Sequence, residues 1–292
     1  MAGMRLPKPM SNAIAFLKEL VREYTQDNGS LVAAALAFYL FLSLVPLMIL
    51  AIAGLGYLLG SPERAKDAVY SLIRDYAPAL SPRNELRLQA VIEEIVRGRD
   101  AATGIGVVML IWSGTSLMTV LERAINVAWN IERQRMFVVR RLVAVAMLIG
   151  AGMLFVLSFG ITAGLEALRS ANIRILGLVP SNWPWIWSLS SYVVPLAGTV
   201  LAFTLMYKFL PYARVPFRSA LFGGLFAGAL WEAAKIGFSF YLSGYASYGR
   251  IYGSLTGVVV LLIWINYSAV VAVLGAEASS IWARRHGTCI RD

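Results

Sequence analysis

The sequence predicts an all-α polytopic membrane protein with about six transmembrane helices, an N-terminal interfacial amphipathic helix and an extracytoplasmic amphipathic helical hairpin. Three observations carry that expectation. Apolar residues make up 59% of the 292-residue chain and charged residues only 14%, against roughly half and a quarter in soluble domains. The apolar residues gather into long runs, and the basic residues gather on alternate flanks of those runs.

The chain begins with Ala13, Ile14, Leu17, Leu20, Val21 and Tyr24 recurring at helical spacing beside Lys18, Glu19, Arg22 and Glu23. That pattern predicts an amphipathic helix over 11–26 lying on the cytoplasmic interface, and not a cleavable signal. The first span follows at 31–59. At 1.5 Å per residue it is roughly 43 Å long, more than a ~30 Å hydrocarbon core requires. Pro46 removes a backbone donor near its middle, with Ser43 three residues before it, so Pro46 is the candidate hinge.

Between Glu63 and Asp100 the pattern turns from continuous to striped. Ala65, Ala68, Val69, Leu72, Ile73 and Tyr76 form one apolar face, and Leu88, Val91, Ile92, Ile95 and Val96 form another beyond Pro78 and Pro82. Two amphipathic helices outside the membrane are expected there. The remaining spans are expected at 102–120, 139–168, 184–210, 219–242 and 253–283, all within a single membrane domain covering 1–292. Trp183, Trp185 and Trp187 mark an interfacial belt where the fourth span begins. Gly160 with Gly164, Gly224 with Gly228, and Ala229, Ala233 and Gly237 recur four apart, a spacing that lets helix backbones approach closely.

The net charge of +10 could point to nucleic acid, but its distribution points to a bilayer. Fifteen Lys/Arg residues lie on one set of flanks, from Arg5 to Arg291, and ten on the other. Seven of those ten fall between Arg64 and Arg99, and the seven acids from Glu63 to Asp100 cancel them. Positive flanks resist translocation, which puts both termini in the cytoplasm of a multi-pass inner-membrane protein. Membrane lipids are the expected partners, with a homo-oligomer open and no nucleic acid.

Ionisable groups inside spans point most directly to function, since each costs at least about 2.5 kcal/mol unless paired or wetted. Glu232 and Lys235, three apart in the fifth span, are neighbours of opposite sign, and Ser239 and Ser243 continue their stripe. Asn266 is expected at similar depth on the sixth span, with Glu277 in its inner half. Glu232, Lys235, Ser239, Asn266 and Glu277 form the candidate substrate path. The alternative is an ion pair that pins the fifth helix to its neighbours. Glu122 and Arg123 are expected to snorkel at an inner boundary, and the hydroxyls of Ser113, Thr115, Ser116 and Thr119 to bond their own backbone.

Catalytic residues and resident cofactors or metals are not expected. The single cysteine, Cys289, and single histidine, His286, offer neither a disulfide nor a paired zinc site, and no nucleotide-binding Gly-Lys-Ser/Thr loop is present.

From the first span to the last the chain resembles the YihY/BrkB family of bacterial inner-membrane proteins. The resemblance rests on Ala33-Ala34-Ala35-Leu36-Ala37-Phe38-Tyr39 leading to Pro46, on Trp112-Ser113, and on Asn126 with Trp129. It continues through Tyr207 to Leu210-Pro211, Trp231-Glu232 with Lys235, Tyr252-Gly253-Ser254 and Gly275-Ala276-Glu277. Asn266 stands where the family pattern has an aromatic residue, and Tyr212 where it has asparagine. The resemblance implies a protein of envelope biology that exports a lipid or other amphipathic anionic solute. The alternative is a non-transporting organiser of the envelope that uses the outer hairpin as a partner surface. Some members have carried a ribonuclease label, which no motif here supports.

Overall fold

The computed structural model describes residues 8–58, 99–132, 135–136, 138–147, 149–150, 152–154, 157, 184–212, 214–244 and 256–287. Among these the regular structure is helical throughout. Six helices can be followed end to end: α1 (Lys8–Gln26), α2 (Gly29–Leu58), α3 (Arg99–Ala128), α4 (Pro184–Phe209), α5 (Phe217–Gly244) and α6 (Thr256–Arg285). Residues 138–147 are helical as well. The expected outer hairpin lies outside the described residues except for Arg99 and Asp100, which open α3. Half of the expected third span, 139–168, lies outside them too.

Three helical segments are long and apolar enough to cross a membrane: Gly106–Ala128, Phe217–Phe238 and Val258–Arg285. A fourth arises if α1 and the first half of α2, which meet at a 68° bend, count as one span. The apolar part of α4 is the shorter Val193–Phe209. Among the described residues, three or four of the expected six spans are therefore long and apolar enough to cross a membrane.

Two asparagines set where helices stop. Asn28, after α1, has φ 53°, and Asn130, after α3, has the same value. Asparagine tolerates this left-handed conformation, and the turn it makes satisfies carbonyls left open at a helix end. After α3 the amides of Asn130 and Ile131 donate to the carbonyls of Val127 and Asn126, both at 2.8 Å. The first turn forces the bend between α1 and α2, where the Tyr24 ring packs directly on Gly29 and leaves no room for a side chain there.

The chain divides into two compact units. The first joins Met1–Leu36, Met118–Gly244 and Asn266–Asp292. In it, Phe16 and Leu20 of α1 pack on Phe222 and Phe226 of α5 and on Ala278 and Ile281 of α6. Phe16 meets both α5 rings edge-on, at 5.9 and 6.2 Å. Glycines set the closest approaches. A Cβ at Gly228 would fall 2.6 Å from Val200 Cγ2 on α4, and one at Gly223 would meet Ser279 and the Gly275 carbonyl on α6. Gly224 packs on Val200 and Thr204. Gly237, expected to join this small-residue seam, faces open space.

The second unit joins Ala37–Leu117 and Tyr245–Ile265. In it α2 stays helical on both sides of Pro46, which is fully buried. Ser43 Oγ donates to the Tyr39 carbonyl at 2.8 Å, so it does not serve the Leu42 carbonyl that Pro46 leaves without a donor. Ser113, Thr115 and Ser116 turn their hydroxyls back to carbonyls of their own helix, as expected.

Candidate functional site

The candidate path begins with the pair on α5. Lys235 Nζ lies 2.7 Å from Glu232 Oε1, one helical turn away. The Lys235 side chain is 42% exposed and that of Glu232 32%. Glu232 Oε1 itself is shielded from solvent, and its contact with the ammonium is close in distance but off hydrogen-bond alignment. The pair thus links two residues of one helix. Beside it Phe203 of α4 and Trp231 of α5 meet edge-on at 6.2 Å, while Ala234 is buried in the packed face.

The other expected path residues separate. Asn266 is exposed on α6, and Ser239 continues the α5 helix, its side chain lying outside the described residues. Glu277 is 1% exposed and belongs to a different cluster: its carboxylate and those of Glu23 and Asp27 place an oxygen each within 4.8 Å of one another. That grouping follows from the way α1 presents itself. Ile14, Leu17 and Val21 are exposed, whereas Glu19 and Glu23 turn inward with Phe16 and Leu20. The acidic residues of the amphipathic helix therefore meet α6 while Lys18 and Arg22 stay exposed, and Ile14, Leu17 and Val21 of its apolar face are left outward, as suits a helix lying against lipid. Arg285 donates to Glu19 Oε2 through two nitrogens, at 2.6 and 3.0 Å, and its guanidinium lies over the Phe16 ring at 5.4 Å. Arg284 lies 3.4 Å from Glu23. Burial pushes the Asp27 carboxyl above its usual range; a bond to Glu277 draws it back, the Glu23 charge adds to the rise and Arg284 opposes it.

A second polar cluster lies where α3 and α4 end. Arg135 Nη1 donates to Glu122 Oε1 at 3.2 Å and to the Leu210 carbonyl at 2.7 Å, and Nη2 donates to the Pro211 carbonyl at 2.9 Å. Asn126 Oδ1 accepts from the Tyr212 amide at 3.0 Å, and the Arg135 guanidinium lies 5.5 Å from the Tyr212 ring centre. Glu122 is buried, not snorkelling, because Arg135 reaches it from beyond the turn at Asn130; Arg123 is the exposed member of that pair. Sequence alone gave this cluster little away, since its partners are 13, 75 and 76 residues apart along the chain. The one visible signal was the run of Asn126, Leu210 and Pro211 among the residues of the family resemblance.

Long apolar helices, closely packed at glycines and carrying few internal charges, define a polytopic helical membrane protein. The virulence factor BrkB family matches residues 20–291 of this chain. The chain belongs to that family. It is 29% identical over 279 residues to the ribonuclease-like protein YfkH of Bacillus subtilis, covering 93% of this chain and 96% of YfkH. It is also 29% identical over 290 residues to a UPF0761 membrane protein of Pseudomonas paraeruginosa, covering 94% of this chain and 66% of that one. A UPF0761 membrane protein of Alkalilimnicola ehrlichii is 30% identical over 273 residues, covering 91% and 57% respectively. The chain thus spans about two thirds or less of these two membrane proteins. No solved structure matches it.

Proposed function

We propose that the protein is a non-enzymatic, multi-pass protein of the bacterial inner membrane that translocates a lipid or another amphipathic anionic solute. The observation that carries this reading is the half-exposed ion pair on α5. A pair retained to pin helices together would be enclosed between them, whereas Lys235 and Glu232 join two residues of one helix and leave both side chains partly open. Charges on an apolar span persist where water or a polar ligand meets them. An ammonium there suits a phosphate or carboxylate headgroup, and Glu232 neutralises it between passages.

The name carried by YfkH raises phosphodiester cleavage as a question. That chemistry needs an activated water on a metal or an acid–base set that a polynucleotide can reach. The carboxylate cluster around Glu277 does not present such a face, because Glu277 is enclosed.

The test is translocation of fluorescent phosphatidylglycerol by purified protein in liposomes, read by quenching with an impermeant reductant. The wild type should accelerate quenching beyond protein-free vesicles, and a folded Glu232→Leu/Lys235→Met protein should fall back to the vesicle rate. Wild-type vesicles at the protein-free rate would refute lipid translocation and favour an organiser. A fully active double variant would remove the pair from the path.

A further inference from the structure

The cluster of Glu23, Asp27 and Glu277 is not used by the proposed path and stands on separate observations. Glu23 and Asp27 are four apart, so they project from the same face at the end of α1, and Glu277 reaches them from α6. Arg284, which donates to Ser280 Oγ at 3.0 Å, is in ion contact with Glu23 at 3.4 Å, and Arg285 is held by Glu19. That leaves Asp27 and Glu277: among the described residues neither has a Lys, Arg or His nitrogen within 4.0 Å.

An enclosed carboxylate oxygen without a partner is the second observation. Glu277 is 1% exposed, and its Oε2 is shut off from solvent and accepts no hydrogen bond. Such a group costs several kcal/mol unless something positive meets it. Three carboxylates that each place an oxygen within 4.8 Å of the others, one of them enclosed and carrying an unpartnered oxygen, form an all-oxygen donor set suited to a hard cation. Thiolate and imidazole are missing from the set, which disfavours the softer metals.

The geometry points to a divalent hard cation, of the Mg²⁺, Mn²⁺ or Ca²⁺ type, bound between the C-terminal end of α1 and α6 by Glu23, Asp27 and Glu277. With Glu23 balanced by Arg284, Asp27 and Glu277 remain; without an ion they hydrogen-bond to each other through one shared proton, and a divalent ion displaces that proton and is neutralised by the two carboxylates. Water completes the shell on the side of Asp27 and Glu23, which are only half-buried. The ion clamps α1 to α6 just before the 68° bend, and so fixes the angle at which the interfacial helix leaves the bundle. It serves geometry rather than hydrolysis, because the enclosed side of the site admits no substrate.

The experiment uses the purified full-length protein, stripped with chelator and titrated with Mn²⁺, bound ion being read by loss of the free-Mn²⁺ paramagnetic resonance signal. One saturable site per chain is expected, displaced by Mg²⁺ or Ca²⁺. Asp27→Asn and Glu277→Gln should each weaken binding at least ten-fold, while Glu19→Gln, which touches only the neighbouring arginines, should change it less than two-fold. Amide exchange supplies a second readout, since α1 should exchange faster in the stripped wild type and slow on adding Mn²⁺. If Glu277→Gln does not fold, the less buried Asp27→Asn decides. Unsaturable binding by the wild type, or undiminished binding by Asp27→Asn, would overturn the site. Neither outcome bears on lipid translocation, which is measured separately at Lys235.

Discussion

Arg135 ties two pieces of chain far apart in the sequence: Glu122 on α3 and the carbonyls of Leu210 and Pro211 beyond α4. Its side chain is mostly buried and that of Glu122 almost wholly so. Removing one partner of a buried pair leaves the other charge without compensation, a loss of about 3–5 kcal/mol. Arg135→Met should therefore lower the unfolding midpoint in detergent sharply, and adding Glu122→Gln should recover part of the loss, though not the two carbonyl bonds. Equal midpoints for wild type and Arg135→Met would show that the turn holds without the arginine. Lys235 is the contrasting case. Its partner is one turn away on the same helix and both are partly open, so its removal should be felt more in transport than in stability.

At the scale of elements, packing between helices depends on which glycines meet a neighbour. Gly228→Leu would drive a side chain into Val200 and should separate α4 from α5, costing about 1–3 kcal/mol or more as overpacking. Gly237→Ala should be tolerated within about 0.5 kcal/mol, because open space surrounds it. Folded yield by size-exclusion chromatography separates the two, and equal loss in both would mean that backbone flexibility rather than close approach matters at these positions. α2 makes a different demand. Its 30 residues span roughly 45 Å, and the helix continues through a proline that cannot donate to Leu42. If that weakened turn acts as a hinge, Pro46→Ala should change the liposome translocation rate more than it changes the amount of protein in the membrane fraction. An unchanged rate would remove Pro46 from the mechanism.

For the whole molecule, orientation follows from charge. Basic flanks on one side, against a balanced 63–100 segment on the other, predict that both termini are cytoplasmic. In a Cys289→Ser background, Asp75→Cys should react with an impermeant thiol reagent in intact spheroplasts. Reaction only after the membrane is opened would reverse the topology.

The sequence by itself determined the helical membrane class, the family and the amphipathic first helix, because these depend on composition, period and local order along the chain. Apolar runs of about 20 residues have few other stable states, since every backbone polar group must be satisfied inside the segment. It also foresaw the Glu232–Lys235 contact, because residues three apart on a helix are neighbours whatever surrounds them. Only the tertiary structure decided which charges are enclosed. Glu122 lies inside through an arginine 13 residues away, and Glu277 leaves the expected path to meet two acids some 250 residues before it. Gly228 touches a neighbour and Gly237 does not, although each ends a run of small residues four apart on the same helix. Periodicity fixes the face on which a side chain lies, but the identity of what covers that face is set by helix crossings, and those arise from contacts distant along the chain.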